Sequence, residues 1–334
     1  MHEQNLGRIL ITGGAGFIGL ALAWHLRKSA DVVLLDSLRH KTDLQIQWAD
    51  SSGARLVVGD VRDARVLAEA MNGCTSVVHL ASLAGVDRVR SHPDETARII
   101  MDGTKTLVHT CDHNSTVRRI VMASTSEVYG VYADRNDEYE AGSSLPGGDP
   151  RWFYAEAKLA AERMLLTFGL EHSLETFVVR PFNVYGPGQL GRGAIETFIR
   201  RALASKDLLI YNGGKQVRAW CFISDLVRAL EALLSVQHAH SRIYNLGNPL
   251  AAISTDGLAR EIIRITGSNS LPRSETGVSA EVQYRVPNIK RAMSELGFSP
   301  AVGLEQGLRH TVDWYRDWFE NGHPLAPWEG DFGL

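Results

Sequence analysis

The clearest indication of the fold is the segment Arg8-Ile9-Leu10-Ile11-Thr12-Gly13-Gly14-Ala15-Gly16-Phe17-Ile18-Gly19. It begins with an apolar run that predicts a buried strand, and an apolar helical pattern follows from Leu20 to Leu26. Between the two elements, glycine recurs at every third position. Glycines of this spacing let the backbone turn tightly and approach a pyrophosphate, which the N-terminus of the following helix attracts. The stretch therefore predicts a dinucleotide-binding turn between a strand and a helix.

The next apolar run, residues 31–36, predicts a second strand that ends in an acid. Asp36 lies 17 residues after Gly19, where a carboxylate accepts hydrogen bonds from the adenosine ribose and repels a 2′-phosphate. The position of Asp36 therefore predicts NAD rather than NADP as the cofactor. Arg39 lies close by in the sequence and is expected to offset part of this repulsion.

A third predicted strand, residues 55–58, is followed by Asp60 and Val61. Two roles for Asp60 remain open on the sequence. Its carboxylate either accepts a hydrogen bond from the adenine amine or caps the helix that follows.

The fourth predicted strand, residues 75–80, leads into the small-residue loop Ala81–Gly85. Small side chains at this position let a cofactor approach the backbone closely. His79 lies inside the apolar strand, so it is interpreted as a core histidine with a satisfied partner rather than as a ligand or base.

The candidate chemistry lies in two further stretches. Ser124-Thr125-Ser126-Glu127-Val128-Tyr129-Gly130 follows the apolar run 119–123, which places hydroxyls and one carboxylate at the carboxyl end of a predicted strand. Tyr154 and Lys158 lie four residues apart in a helix-forming segment and share one face. A lysine ammonium beside a phenol lowers the pKa of the phenol. Such a tyrosine accepts a proton from a substrate hydroxyl while hydride leaves the same carbon.

Two sets of candidate site residues result. The predicted catalytic residues are Thr125, Ser126, Glu127, Tyr154 and Lys158. The predicted cofactor contacts are Gly13, Gly16, Phe17, Ile18, Gly19, Asp36, Asp60, Val61, Leu80, Ala81, Ser82, Tyr154 and Lys158.

The composition is typical of a globular enzyme. The chain has 334 residues, 44% of them hydrophobic, which allows one large domain or two lobes. A net charge of −3 gives no overall basic field, so neither nucleic acid nor a membrane surface is predicted as a partner. Cys74, Cys111 and Cys221 lack metal-type spacing, which predicts reduced, buried thiols and no metal site. The chain has no apolar run of spanning length and no signal-peptide core, so a cytoplasmic protein is predicted.

Strands alternate with helices up to residue 180, which predicts an α/β fold with a Rossmann doubly wound parallel sheet. Beyond this point the alternation loosens, and a smaller, interleaved C-terminal substrate lobe is predicted. The predicted boundaries are 1–180 for the NAD-binding domain and 181–334 for the lobe, with returns to the sheet near 216–247, at Cys221–Ile223 and Tyr244–Leu246. The polar loop 133–150 joins the two catalytic stretches and is expected to cover the site.

Together these motifs resemble the extended short-chain dehydrogenase/reductase family, the NAD-dependent sugar-nucleotide epimerases and dehydratases. The resemblance covers nearly the whole chain and includes Arg180-Pro181-Phe182-Asn183-Val184-Tyr185-Gly186-Pro187. It implies tightly held NAD, a nucleotide-diphosphate sugar as substrate, and a homodimer built on the helices near 94–112 and 152–170. It also implies substrate contacts from Asn183, Arg218 and Arg285. Ile100 departs from the family, which often has an asparagine there that holds a water near the active lysine, and this argues against a water-linked proton relay.

The triplet Thr125-Ser126-Glu127 is similar to that of UDP-glucuronate decarboxylases, which form UDP-xylose. In this family, simple 4-epimerases often lack the acid, and 4,6-dehydratases carry an Asp-Glu pair after the threonine. Gln216-Val217-Arg218-Ala219-Trp220 is also similar to the Gln-Thr-Arg-Ala-Phe of the decarboxylases. The resemblance therefore favours NAD-dependent decarboxylation of UDP-glucuronate through a 4-keto intermediate.

Other functions remain open on the sequence. They are a sugar-nucleotide 4-epimerase, a 5,6- or 4,6-type dehydratase, and a catalytically silent NAD-sensing or scaffold protein on the same fold. Single residues also have alternatives. Glu127 is alternatively a buried acid paired with a neighbouring cation, and Arg218 and Arg285 are alternatively partners in surface ion pairs.

Overall fold

The computed structural model of the chain describes residues 5–39, 41–83, 89, 91–113, 116–142, 145–146, 150–191, 193–236, 242–276, 282–322 and 326–328. Two residues of the predicted small-residue loop, Ala84 and Gly85, lie outside the described residues. So does part of the loop 133–150 that is expected to cover the site.

The secondary structure alternates along the first half of the chain. The strands are β1 (Arg8–Thr12), β2 (Asp31–Asp36), β3 (Arg55–Val58), β4 (Ser76–His79), β5 (Arg119–Ala123), β6 (Ala133–Asp134), β7 (Glu175–Pro181), β8 (Val184–Tyr185), β9 (Leu208–Tyr211), β10 (Val217–Ala219), β11 (Cys221–Phe222), β12 (Arg242–Leu246), β13 (Ala252–Ser254), β14 (Pro272–Glu275) and β15 (Tyr284–Val286). The helices are α1 (Phe17–Leu26), α2 (Asp43–Ser51), α3 (Ala64–Met71), α4 (Pro93–Asp112), α5 (Pro150–His172), α6 (Ala194–Leu203), α7 (Ile223–Ser235), α8 (Thr255–Thr266), α9 (Lys290–Leu296) and α10 (Leu304–Asn321). Among the helices of the described ranges, none combines the length and the apolar character that crossing a bilayer requires.

The strand β1 lies inside a seven-stranded sheet of order β12-β7-β5-β4-β1-β2-β3. All six neighbouring pairs in this sheet are parallel. The chain adds β2 and β3 on one side of β1 and the later strands on the other. Open α/β sheets bind ligands outside the carboxyl ends of the strands at such a reversal point. The sheet confirms the predicted Rossmann architecture and places the glycine-rich turn at the reversal.

Helices cover both faces of this sheet. Successive side chains of a strand point to opposite sides, so a central strand contributes to both apolar layers. Ile9 and Ile11 of β1 belong to one buried apolar cluster, which includes side chains of α1, α6, α7 and α10. Leu10 belongs to the other cluster, with side chains of α3, α4 and α5. The apolar run of β1 is therefore buried on both faces.

A second, four-stranded sheet has the order β13-β10-β15-β6. The parallel pair β10–β15 places Arg218 directly opposite Arg285. The strand β6 comes from the loop 133–150, and its Ala133 lies opposite Arg285 on the other side. This loop therefore contributes a strand to the sheet that carries two predicted substrate residues.

The two predicted returns to the main sheet have different outcomes. The return of Tyr244–Leu246 is confirmed, since β12 pairs with β7. The return of Cys221–Ile223 is wrong, since β11 pairs with β8 in a separate two-stranded sheet. The chain leaves the main sheet at Asn183, which adopts a φ of 38°, and the amide of Cys221 donates to the carbonyl of Asn183 at 3.1 Å. The boundary between residues 180 and 181 stays a prediction.

Candidate active site

A cleft of about 420 Å³ opens at the carboxyl ends of the main-sheet strands. All thirteen predicted cofactor contacts line it, from the glycine-rich turn to Tyr154 and Lys158. Further lining residues that the motifs did not indicate include Lys41, Glu95, Ile99 and Gln189. They lie in loops and on the flank of α4, outside the strand ends at which the motifs are found.

The glycine-rich turn is shaped by close backbone packing. Gly13 has a φ of 68°, and a Cβ atom at this position would lie 2.8 Å from the amide nitrogen of Ala81. Only glycine permits this approach without strain. Gly16 precedes α1 and offers no side chain to cap the first amides of the helix. An uncapped helix start attracts anionic groups. Together with the acid that ends β2, the turn fits NAD.

Asp36 is buried and bound to backbone amides on both sides. Its Oδ2 accepts from the amide of Ala15 at 3.2 Å and its Oδ1 from the amide of Leu38 at 3.0 Å. The ammonium of Lys41 lies 3.6 Å from Oδ2. The cation that pairs with Asp36 is therefore Lys41. Arg39 also lines the cleft, so its expected part in offsetting the repulsion of a 2′-phosphate stays a prediction. Its guanidinium faces Asp60 at 3.8 Å and Glu95 at 4.0 Å.

Asp60 does not cap the helix that follows it. The cap of α3 is Asp63, whose carboxylate accepts from the amides of Arg65 and Val66. Asp60 accepts from the Nε and Nη2 of Arg62 at 2.9 and 2.6 Å, and this hydrogen bonding is the main reason that its pKa is lowered. The capping alternative is therefore wrong, and the carboxylate remains on the wall of the cleft.

His79 has the properties of a core histidine. Its Nδ1 lies 2.8 Å from the hydroxyl of Thr12, and the side chain is buried. Burial, followed by the nearby charge of Lys158, lowers its pKa to about 3. The imidazole is therefore neutral at physiological pH, and its interpretation as a satisfied core residue is confirmed.

Tyr154 and Lys158 both reach the cleft from the first half of α5. Burial, and then the charge of Glu127, raise the pKa of Tyr154 to about 12, although the neighbouring hydroxyls of Thr125 and Ser82 act in the opposite direction. Burial lowers the pKa of Lys158 to about 8, and its Nζ donates to the carbonyl of Ala123 at 2.8 Å. The predicted lowering of the tyrosine pKa is therefore wrong for this structure, because burial outweighs the opposing contributions.

The residues after β5 turn instead of extending the strand. The hydroxyl of Thr125 accepts from the amide of Glu127 at 3.2 Å and caps a 3₁₀ helix, Ser126–Tyr129. The stretch therefore does not continue β5 as a strand, which would have put the side chains of Thr125 and Glu127 on one side. A threonine hydroxyl that binds a nearby amide offers the backbone an alternative to the sheet. The turn still keeps the carboxylate of Glu127 close enough to Tyr154 to raise the pKa of the phenol, and it buries Ser126.

Glu127 and Arg285 form a two-bond ion pair. Nη2 of Arg285 donates to Oε2 of Glu127 at 3.1 Å, and Nη1 donates to Oε1. The arginine side chain is 4% exposed and the glutamate 16%, so this is not a surface pair. Within the described part of the chain, Nε of Arg285 is a buried donor with no hydrogen-bond partner. The alternative in which Glu127 is a buried acid paired with a cation therefore describes the geometry.

The predicted substrate residues converge on β10. Arg218 lies in β10 and shares a sheet face with Arg285, because the two are opposite each other in a parallel pair. Its guanidinium donates to the carbonyl of Val217 at 2.9 Å and to the side chain of Gln216 at 3.2 Å. The side-chain amide of Asn183 donates to the carbonyl of Ala219, at the end of β10, at 2.8 Å. Two guanidinium groups and one amide are thus held around a single short strand.

A buried ion pair connects the elements that carry the two catalytic stretches. Arg180 donates to Glu162 from Nε at 3.0 Å and from Nη2 at 2.6 Å, and each side chain is 1% exposed. Ser124 also donates to Glu162, and Arg180 donates to the hydroxyl of Tyr129 at 3.0 Å. The pair ties α5, β7 and the 3₁₀ turn together. Sequence reasoning missed Glu162, although its position four residues after Lys158 places it on the same helix face.

Known proteins match both the sequence and the structure over most of the chain. Residues 9–247 match the NAD dependent epimerase/dehydratase family. A UDP-N-acetyl-alpha-D-glucosaminuronate decarboxylase from Bacillus cytotoxicus is 31% identical, over 93% of this chain and 98% of that protein. The solved structure of MoeE5 in complex with UDP-glucuronic acid and NAD superimposes with a TM-score of 0.82 at 32% identity, over 93% of this chain and 99% of that one.

Relatives with other reactions lie at similar distance. UDP-glucuronate 4-epimerase 1 from Arabidopsis thaliana is 29% identical, over 96% of this chain and 79% of that protein. The similarities therefore establish the family and its cofactor, while several reactions occur among the relatives. The chain belongs to the NAD-dependent epimerase/dehydratase family, the extended short-chain dehydrogenases of sugar-nucleotide chemistry, and is an enzyme that uses NAD.

Proposed function

We propose that the enzyme decarboxylates UDP-glucuronate to UDP-xylose through a 4-keto intermediate. The observation that carries the proposal is the ion pair between Glu127 and Arg285, close to Tyr154 and beside Arg218. A substrate with a diphosphate and a carboxylate needs guanidinium groups, and a chain of net charge −3 supplies them only locally. Relatives that act on uronates, including the decarboxylase from Bacillus cytotoxicus, support this substrate class.

The first step is the oxidation of the sugar at C4. NAD, when bound, accepts a hydride from C4 and returns it at the end of the cycle. Tyr154 takes the proton of the 4-hydroxyl, with the hydroxyl of Thr125 beside the phenol. The phenol is protonated in the free protein because its pKa is about 12, so it needs cationic support to ionise. Lys158, one helical turn away on the same face, is the residue that provides this support.

The second step is the loss of carbon dioxide. The ketone at C4 is β to the C6 carboxylate, so the C5–C6 electron pair passes into an enolate as carbon dioxide leaves. A guanidinium bound tightly to that carboxylate would stabilise its charge and oppose the formation of neutral carbon dioxide. Because Arg285 is bound to Glu127, its charge is largely neutralised at short range. Glu127 orients the sugar and guides a proton from solvent to C5, which restores the 4-ketone. Tyr154 then returns its proton to the C4 oxygen as the hydride goes back to C4.

The test is a comparison of wild type with Glu127→Gln, with Glu156→Gln as the control. Glu156 is an exposed glutamate between Tyr154 and Lys158, so its loss changes the charge without touching the pair. Glu127→Gln leaves Arg285 without a charged partner. We expect kcat for carbon dioxide release to fall ~10²-fold, as for loss of a group that acts in the transition state, while KM does not rise. Unchanged kcat in Glu127→Gln, or a wild-type product of unchanged mass inverted at C4, would contradict the proposal.

We infer further that the enzyme is a cytoplasmic homodimer built on α4 and α5, as the resemblance implies. Supporting this, the two helices pack closely on one face of the sheet, and α5 carries exposed apolar side chains at Phe153 and Leu170, which are 44% and 76% exposed. Sedimentation of the wild type at twice the chain mass, and of Leu170→Glu at the chain mass, is the expected outcome. A monomeric wild type at micromolar concentration would contradict it.

A further inference from the structure

Lys41 lies between the acid that ends β2 and the glycine-rich turn. Its Nζ is 3.6 Å from Oδ2 of Asp36, and a Cβ atom built on Gly16 would lie 3.5 Å from the same Nζ. The side chain is 20% exposed and lines the cofactor cleft. The ammonium is therefore inside the cleft and next to the start of α1.

The backbone around Lys41 is fixed to the glycine-rich turn. The amide of Ala15 donates to Asp36, and the side chain of Gln45 donates to the carbonyl of Ala15 at 3.3 Å. Gln45 also completes a capping box with Thr42, which starts α2 directly after Lys41. The amide of Lys41 itself donates to the carbonyl of Leu38 at 3.1 Å. These hydrogen bonds fix the backbone of Lys41 relative to the glycine-rich turn.

The ammonium group of Lys41 is held less firmly than the backbone of the same residue. A separation of 3.6 Å is longer than a hydrogen bond, so the pair with Asp36 is a loose ion pair. Asp36 already accepts from two backbone amides and does not depend on the lysine for partners. Near Gly16 the ammonium also adds to the positive end of the α1 dipole, since no side chain caps that helix. The Lys41 ammonium and the N-terminus of α1 are thus two sources of positive charge at the turn where the pyrophosphate of a dinucleotide binds.

We propose that Lys41 exchanges Asp36 for the pyrophosphate of the cofactor, which frees the carboxylate to bind the adenosine ribose. The exchange couples recognition of the ribose diol to recognition of the phosphates. It assigns the lysine to the pyrophosphate and not to a 2′-phosphate, so rejection of NADP is left to Asp36. The inference depends on NAD binding and not on the decarboxylation proposed above.

Calorimetry with cofactor fragments tests this assignment on the full-length chain after removal of copurified nucleotide. The ligands are ADP-ribose, which carries the pyrophosphate, and adenosine, which does not, with adenosine measured by competition. Lys41→Ala should weaken the binding of ADP-ribose by roughly 10- to 100-fold, the range for a lost charge-assisted hydrogen bond. Adenosine, which offers the lysine no phosphate, should bind at least as tightly as to the wild type, because Asp36 is free in the variant. Lys28→Ala is the matched control, because it removes the same charge from an exposed site beyond the far end of α1.

Three outcomes would overturn the assignment. Equal losses for ADP-ribose and adenosine would mean that Lys41 acts only by positioning Asp36. No loss for either ligand would mean that Lys41 pairs with Asp36 and does not contact the cofactor. A larger loss for 2′-phospho-ADP-ribose than for ADP-ribose would move the ammonium to the 2′-phosphate. Melting temperatures of the ligand-free variants, expected to stay close to wild type, separate any of these results from misfolding.

Discussion

The carboxylate of Glu127 and the guanidinium of Arg285, 158 residues apart in the chain, form an ion pair close to the phenol of Tyr154. The pair joins the turn after β5 to the four-stranded sheet that also carries Arg218. It therefore brings an acid and an arginine together near Tyr154, next to the strand that carries Arg218.

Tyr154→Phe should lower kcat by ~10²–10⁴-fold, the range for loss of a general base, and leave binding of the sugar nucleotide largely intact. The phenolate oxygen is the group that accepts the proton, while the aromatic ring keeps its packing. Steady-state kinetics and calorimetry measure the two effects. Tyr139→Phe is the control, since that side chain is 80% exposed. Near-wild-type activity of Tyr154→Phe would show that another group is the base.

Lys158→Ala should move the rising limb of the kcat–pH profile to higher pH. Burial holds the pKa of Tyr154 at about 12 in the free protein, and an ammonium nearby favours the ionised phenol. Removal of that ammonium raises the tyrosine pKa further, so more alkaline conditions are needed to form the phenolate. The profile is measured with saturating substrate and cofactor. An unchanged limb, with only a lower plateau, would mean that Lys158 does not govern the ionisation of Tyr154.

NAD should bind more tightly than NADP, because the carboxylate of Asp36 ends β2 inside the cleft. Asp36→Asn should narrow the difference by removing the charge that repels a 2′-phosphate. Calorimetry of both cofactors on both proteins gives the comparison. Equal or tighter binding of NADP by the wild type would contradict the role of Asp36.

Much of this site was predictable because regular periodicity marks buried strands, and motifs lie at their carboxyl ends. The thirteen predicted cofactor contacts that line the cleft are local to β1, β2, β3, β4 and α5, and each follows a pattern in the sequence. The 3₁₀ turn after Thr125 was not predictable, since a single hydroxyl–amide bond decides between turn and strand.

Two ion pairs could not be predicted from the sequence either. The partner of Asp36 depends on the backbone of the residues that follow β2, where Leu38 adopts a φ of 56°, and no periodic pattern specifies such a conformation. Glu127 follows β5 of the main sheet, and Arg285 lies in the four-stranded sheet. Their pairing therefore depends on how the two sheets are placed in the tertiary structure. The direction of the Tyr154 pKa shift was missed for a related reason, because burial is a property of the tertiary structure.

Arg218→Ala should raise KM for the sugar nucleotide by roughly 10-fold or more, as expected for loss of a charged hydrogen bond, and leave the Kd for NAD unchanged. Its guanidinium is half-buried and shares a sheet face with Arg285. Arg273→Ala is the matched control, since Arg273 is a more exposed arginine paired with Asp207. An unchanged KM in Arg218→Ala would assign its guanidinium to a structural role. Arg285→Ala is a less clean test, because it also leaves Glu127 without its partner.

The proposed reaction releases the C6 carboxylate of the sugar as carbon dioxide. The most direct measurement is ¹³C NMR of the wild-type enzyme with NAD and UDP-glucuronate labelled at C6. The account predicts that the label appears as carbon dioxide and bicarbonate, that unlabelled UDP-xylose accumulates, and that no net NADH forms. A label that stays on the sugar, in a UDP-hexuronate inverted at C4, would contradict the account and identify the enzyme as a 4-epimerase.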